Sequence, residues 1–223
     1  MNTKLDRRAF LARATLATTG LAVGTVGCGL RKAALPSQTF LLKGPVPAPA
    51  PDAAESPAPT GVLLVRPFKV ATAFDSRSFV VRRSESEFMI DAYHAFLVSP
   101  GLMLTDLVAE WVRGLKVFAA VTTGGSQLAP SHALEGEITE LYADYRESGA
   151  PKAVMAGQFR LLHPLVGGVS PMVWQQGAGG GVAMAKVGAE ELVAGWEQGL
   201  GEWCRGLERM LRQRGPARGR SSA

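Results

Sequence analysis

The sequence FDSRSFVVRRSESEFMIDAYHAFLVSPGLMLTDLVAEWVRGLKVFAAV, residues 74–121, contains the pattern from which the fold can be predicted. Residues 79–82 and 87–90 are rich in β-branched and aromatic side chains, and the polar residues 83–86 lie between them. This arrangement is typical of two strands joined by a hairpin loop. We therefore predict a β-hairpin in the first part of this stretch.

An amphipathic helix is predicted directly after the hairpin. Ser99 is a candidate N-cap, and Pro100 suits the first helical position. The apolar residues recur at i, i+3, i+4, i+7, i+8 and i+11, namely Leu104, Leu107, Val108, Trp111, Val112 and Leu115. Because this apolar stripe covers only one side of the helix, we expect it to pack on a sheet.

Further elements are predicted on both sides of this stretch. The predicted strands are a first edge strand at 39–42, a central buried strand within 61–68, a hairpin of 134–142 with 154–162, and a short strand at 172–175. Residues 177–181, which are mostly glycine, are predicted as a flexible loop. The fold class that follows is α+β, with a mainly antiparallel sheet and two α-helices packed on one face.

The second helix is predicted from residue 188 onward. Its apolar residues alternate in steps of four and three, namely Leu192, Trp196, Leu200, Trp203, Leu207 and Met210. Cys204 lies beside this stripe and is predicted to be buried. No His or Cys stands at ligand spacing from it, so a metal site is not expected there.

Composition and charge exclude several classes of function. The 223 residues carry a net charge of +5 with a pI near 9.5, but the excess of Lys and Arg lies in the N-terminal segment and in the tail from Arg209 onward. No basic cluster with interleaved aromatics is expected on the folded region, which argues against nucleic-acid binding. Motifs such as HExxH, GxSxG, CxxC and the Walker lysine are absent from the sequence. We therefore predict no catalytic site, metal or cofactor.

The N-terminus matches an export signal. Arg7 and Arg8 are followed by Phe10 and Leu11, as in twin-arginine signals, and a mildly apolar run of residues 14–26 is too short to span a membrane. Residues 25–28 (TVGC) are similar to a lipobox, which predicts diacylation of Cys28; the alternative is a free cysteine beside an ordinary cleavage site. The predicted organisation is a signal at 1–27, a tether at 28–37, one domain at 38–212 with a Pro/Ala-rich loop at 44–60, and a disordered basic tail at 213–223.

The order of these segments resembles that of the ABC-type transport auxiliary lipoproteins, which are periplasmic partners of MCE-type (mammalian-cell-entry) lipid transporters. The similarity rests on the apolar strand at 62–68, SR at 76–77, VVR at 80–82, YHAF at 93–96, the proline at 100, and the helix that leads into KVF at 116–118. Phe96 stands where the family usually has tryptophan.

The resemblance implies a lipid-anchored periplasmic accessory subunit that works with an MCE-domain protein and an ABC permease and ATPase. Cys28 would hold it in a membrane, with the outer membrane favoured because Gly29 replaces the aspartate of inner-membrane retention. Phe74, Phe79 and Phe96 are the candidate contacts for the partner or the lipid, on the expectation that this region is exposed, and a homo-oligomer is left open. Two alternatives remain: an envelope scaffold lipoprotein that assists a secretin or a cell-wall synthase, and a periplasmic hydrolase that uses His94 or His163.

Overall fold

Nine strands and two helices form the described part of the chain, which comprises residues 37–47, 58–147, 149–163 and 171–214 of a computed structural model. The strands are β1 Gln38–Phe40, β2 Val62–Val65, β3 Lys69–Val70, β4 Ser78–Arg82, β5 Phe88–Phe96, β6 Ala120–Thr122, β7 His132–Asp144, β8 Lys152–Leu162 and β9 Met172–Ala183. The helices are α1 Pro100–Leu115 and α2 Ala189–Arg214. The predicted signal, most of the tether and most of the Pro/Ala-rich loop lie outside the described residues. α2 ends two residues beyond the predicted domain boundary.

The sheet is organised around β7. One edge of β7 pairs antiparallel with β8 along the whole strand, and β8 pairs antiparallel with β9. The other edge of β7 is shared by β2, β3 and β4, which pair with it in succession and in parallel. Pro67 lies between β2 and β3, where its missing N–H prevents a continuous ladder. β6 pairs in parallel with β2. On the other side of the sheet, β5 pairs antiparallel with β4, and β1 pairs in parallel with β5.

The predicted α+β class is confirmed, and the sheet is mixed rather than purely antiparallel. The long ladders, β7 with β8 and β8 with β9, are antiparallel, whereas the parallel ladders contain two or three residue pairs each. The parallel pairs with β7 arise because one continuous segment, residues 62–82, advances along β7 in the same direction as β7 itself.

Both helices pack on the same face of the sheet, as predicted. The apolar stripes of α1 and α2 belong to one buried cluster that also contains Leu134, Ile138 and Phe159 from the sheet. The predicted N-terminus of α1 is confirmed, with Ser99 extended at the N-cap and Pro100 in the first turn. Thr105 Oγ donates a hydrogen bond to Gly101 O (2.6 Å) and accepts one from Phe68 N (2.8 Å), which fixes α1 to the segment that joins β2 and β3.

The predicted flexible loop at 177–181 is wrong, because these residues belong to β9 and pair with residues 154–158 of β8. At Gly179 the backbone has φ +135°, and a β-carbon there would lie 2.4 Å from Ala156 Cα. Only glycine can adopt this conformation so close to the neighbouring strand. The glycines are therefore needed by the ladder, although composition alone favours a loop.

Candidate docking hairpin and cleft

The β4–β5 hairpin carries a group of exposed apolar side chains. Phe88, Met89, Ile90 and Tyr93 retain 42% to 69% of their surface in contact with solvent, and Ile90 is the most exposed of them. Large apolar residues grouped on one surface element mark interaction sites in soluble domains. The hairpin is therefore the first candidate for a functional surface.

The outer edge of β5 is open over most of its length. β1 covers only residues 94–96, and no other described strand pairs with β5 beyond β4. The hydrogen bond from Arg83 N to Glu87 O (2.9 Å) makes these two residues a hydrogen-bonded pair. Hydrogen-bonded and non-hydrogen-bonded pairs alternate along an antiparallel ladder, so the N–H and C=O groups of Met89 point towards β4. Phe88 and Ile90 consequently turn their N–H and C=O groups to the open edge. An apolar open edge is a ready site for pairing with another chain.

An aromatic cluster covers the hairpin face that points away from the helices. Phe74 stacks on Tyr142 with ring centroids 5.6 Å apart, and Phe88 meets the same tyrosine edge-on at 5.5 Å. The Arg82 guanidinium carbon lies 5.3 Å from the centre of the Phe88 ring, within cation–π range. Arg82 also donates to Glu85 Oε2 (3.0 Å), so its charge is already paired.

A cleft of about 340 Å³ lies on the other side of the hairpin, between it and the start of α2. Its apolar lining includes Phe79, Val81 and Met89 from the hairpin and Ala189 and Leu192 from α2. The polar groups that line it are those of Arg83, Asp91, Tyr93, His94 and Tyr145. Burial, followed by the negative charges of Asp91 and Glu191, raises the pKa of Tyr145 above 10.0, so its hydroxyl stays neutral.

Asp91 shapes β5 at the edge of the cleft. Its carboxylate accepts hydrogen bonds from Tyr93 N (2.7 Å) and His94 N (3.1 Å) and pairs with His94 Nδ1 (2.7 Å). Burial acts to raise the pKa of Asp91, but the hydrogen bonds from His94 and Tyr93 hold it below 3.8. The β4–β5 register shifts at this point, and a local irregularity of this kind bends a strand.

The candidate catalytic histidines lie far apart in the fold. His94 binds Asp91, whereas the ring of His163 lies 4.9 Å from that of His132. Burial, and then the charge of His163, lowers the pKa of His132 below 6.5. Ser131 Oγ lies 3.1 Å from His132 Nδ1, yet it also donates to Val62 O, which fixes β2 to the start of β7. Within the described residues, no three His, Cys, Asp or Glu side chains form a group suited to a metal ion.

The expected exposure of two predicted contact residues is wrong. Phe79 and Phe96 are each 1% exposed, and their ring centroids lie 5.0 and 5.2 Å from that of Trp196. They are buried because α2 covers this end of the hairpin. Phe74 is half-buried in the aromatic cluster, and the exposed neighbours are Phe88 and Ile90.

The remaining predicted site residues, Cys28, Arg7, Arg8, Phe10 and Leu11, lie outside the described residues. Cys204 is fully buried, as predicted, and burial raises the pKa of its thiol to about 12. No helix of the described part is long and apolar enough to cross a bilayer. In the same part, one buried side-chain nitrogen, Trp203 Nε1, has no hydrogen-bond partner.

Comparison with known proteins identifies the fold. Protein XCC0632 from Xanthomonas campestris, a DUF330 protein, aligns with a TM-score of 0.66 and 20% identity over 80% of this chain and 96% of its own. A second, uncharacterized protein aligns with a TM-score of 0.59 and 16% identity over 79% of this chain and 99% of its own. No protein-family model matches the sequence, and no curated protein shows significant similarity to it. At these identities the likeness establishes a shared fold.

Proposed function

We propose that this protein is a lipid-anchored periplasmic accessory subunit of an MCE-type ABC transport system that moves phospholipids or other hydrophobic molecules. The observation that carries the proposal is the exposed apolar β4–β5 hairpin with its open edge. Such an element suits docking to another protein by strand addition or apolar contact. The ordered sequence pattern from residue 62 to residue 118 and the lipobox-like residues 25–28 support the same function.

The place where the chain joins the domain supports a role close to a membrane. Gln38 pairs with His94, so the chain reaches the sheet beside the hairpin. Nine residues separate Cys28 from Gln38, so the two Cα atoms lie at most about 36 Å apart when the chain is extended. An acylated Cys28 would therefore keep the hairpin near the membrane surface, and the MCE-domain protein or the permease is the partner that it would meet there.

The test is site-specific photocrosslinking of the full-length protein in its own membranes. A photoreactive residue at Ile90 is compared with one at Leu128, which is 52% exposed and lies in the loop before β7. We expect the MCE-domain protein or the permease to crosslink at Ile90, much less at Leu128, and less again when Cys28→Ser removes the anchor. Crosslinks from Ile90 to only a secretin or a cell-wall synthase would overturn the proposal in favour of the scaffold function.

A further inference from the structure

We propose that the cleft between the β4–β5 hairpin and α2 binds one alkyl chain of an anionic amphiphile, with Arg83 at the headgroup. This inference rests on the proposed function, since it names the class of molecule that the accessory subunit would hold beside its docking hairpin. It concerns the cleft between the hairpin and α2, whereas docking uses the open edge of β5; Ile90 lies at that edge and also contributes to the lining of the cleft.

The size and lining of the cleft favour a single chain. Its volume of about 340 Å³ lies near the lower end of the range of roughly 300–1,000 Å³ that is usual for small-molecule sites. Val81, Met89 and Leu192 form an apolar interior, and Ala189 leaves space at the start of α2. Apolar side chains that line a pre-formed cleft gain from contact with hydrocarbon, because both surfaces leave water.

The charges at the cleft favour an anionic headgroup. Arg83 is exposed and lines the cleft, and within the described part of the chain it forms no ion pair. The carboxylate of Asp91 is occupied by His94 and by two backbone amides. Glu87 lies opposite Arg83 in the hairpin and is the nearest competing anion along the ladder. A free guanidinium binds carboxylate or phosphate through paired, charge-assisted hydrogen bonds.

The path of the chain supplies a source for such a molecule. His94 lines the cleft and is also the residue that pairs with Gln38, where the tether joins the domain. If Cys28 is acylated, a lipid bilayer lies within about 36 Å of that point, and its anionic single-chain lipids and free fatty acids are the source of the ligand. Both share an alkyl chain and an anionic group, and the binding experiment separates them.

The test is isothermal titration of the full-length Cys28→Ser protein with detergent-free solutions of three probes. The probes are dodecanoate, a dodecyl-chain lysophosphatidylglycerol and dodecyltrimethylammonium, each below the concentration at which it forms micelles. We expect one molecule of either anionic probe to bind and the cationic probe to bind at least about tenfold more weakly. Tighter binding of dodecanoate would assign a free fatty acid, and tighter binding of the lysolipid would assign a lipid headgroup.

Four variants locate the site. Arg83→Gln is expected to weaken binding of the anionic probes about tenfold, and Glu87→Gln to strengthen it, because each changes the charge beside the headgroup. Ala189→Trp fills the cleft and should abolish binding, with circular dichroism confirming the fold. Arg209→Gln, an exposed arginine elsewhere on α2, is the matched control and should leave binding unchanged.

The inference would be overturned by equal binding of the cationic probe, or by anionic binding that survives both Arg83→Gln and Ala189→Trp. Its failure can be told apart from failure of the proposed function. If wild-type protein binds no amphiphile while Ile90 still crosslinks to the MCE-domain protein, the cleft proposal fails alone. If the amphiphile binds as expected and Ile90 contacts only a secretin or a synthase, docking to the transport system fails alone.

Discussion

The β4–β5 and β7–β8 hairpins are both pairs of antiparallel strands, but they differ in which of their side chains are exposed to solvent. On β7, Leu134 and Ile138 are fully buried under the helices, whereas Glu137 on the other face bonds Arg160 (2.8 Å). On β5, the outward-facing Ile90 is 69% exposed. Over residues 134–138, the β7–β8 hairpin therefore follows the usual arrangement of an antiparallel sheet with one apolar face and one polar face, and the β4–β5 hairpin does not.

This difference distinguishes residues that stabilise the fold from residues whose exposed side chains can contact another molecule. The outer face of the β7–β8 hairpin carries the Glu137–Arg160 pair beside the buried Tyr142 and Val154. Its inner face supplies the core under the helices. Exposed apolar residues on β5 add little to stability, so their presence is better explained by contact with another molecule. The predictions below test that separation, beginning with the largest expected effect.

Phe79→Ala and Ile90→Ala compare a buried residue with an exposed residue of the same hairpin. Phe79 is 1% exposed and contacts Trp196, so its loss should lower the free energy of unfolding by about 3–5 kcal/mol. Ile90→Ala should change it by no more than about 0.5 kcal/mol. Urea unfolding monitored by circular dichroism measures both. A large destabilisation by Ile90→Ala would mean that β5 belongs to the core.

Gly157→Ala tests the packing of the second hairpin. A β-carbon at Gly157 would lie 2.1 Å from the carbonyl oxygen of Glu137 and 2.9 Å from the Trp203 ring. Because backbone must move to relieve this overlap, we expect a loss of about 1–3 kcal/mol. Gly180→Ala on β9 is the control, since no atom lies within 4 Å of its β-carbon position. Equal midpoints of urea unfolding for the two variants would contradict the close approach.

Two buried tryptophans on α2, Trp196 and Trp203, differ in whether the indole nitrogen has a hydrogen-bond partner. Trp196 Nε1 donates to Val154 O (3.0 Å), whereas Trp203 Nε1 is buried without a partner. Trp196→Phe removes the hydrogen bond to the Val154 carbonyl and should cost about 0.5–1.5 kcal/mol more than Trp203→Phe, which removes an unpaired N–H. Thermal unfolding of both variants checks the order. A greater loss for Trp203→Phe would show that its nitrogen has a partner in solution.

Asp144→Asn is expected to have the smallest effect of the variants that should destabilise the fold, and the effect should depend on pH. The hydrogen bonds from Arg146, opposed by burial, hold the pKa of Asp144 below its ordinary value of 3.8. Arg146 also contacts Glu85, so this network links the end of β7 to the hairpin loop. The stabilisation is complete above the ordinary pKa and is lost as pH falls through the lower folded value.

The expected loss for Asp144→Asn is at most about 1 kcal/mol at about pH 7, and it should shrink towards zero near about pH 2. Urea unfolding at both pH values measures the change. A difference that stays constant with pH would mean that the carboxylate charge is not responsible.

Periodicity predicted the elements whose burial depends on a repeating pattern. The stripes of α1 and α2 and the alternation on β7 identified the helical part of the core and its contact with β7, because those side chains meet the sheet at regular intervals. The parallel pairing of β2, β3 and β4 with β7 could not be predicted in this way, since a short apolar run does not specify its neighbour. The glycines of β9 were predicted as a loop for a related reason. Glycine is needed there because the adjacent strand β8 comes too close for a side chain, and the sequence of β9 alone does not show this.

The predicted contact residues Phe79 and Phe96 lie in the candidate docking hairpin, but their side chains are buried. Phe79 and Phe96 look like exposed strand positions until α2, about a hundred residues later in the chain, brings Trp196 over them. The run Phe88-Met89-Ile90 contains a usable signal, since it shows no alternation of apolar and polar residues and therefore places apolar side chains on both faces of the strand. Arg83 gives no such signal, because its importance depends on the cleft beside it.

The burial of Cys204 gives the protein a chemical reporter of its own opening. With Cys28→Ser in place, Cys204 is the single thiol of the chain. A buried thiol whose pKa is raised to about 12 is almost entirely protonated and out of reach of alkylating reagents. Labelling must wait until α2 separates from the sheet, so its rate measures how often that happens. If an added partner or amphiphile lowers the labelling rate of Cys204, it stabilises the state in which α2 is packed on the sheet.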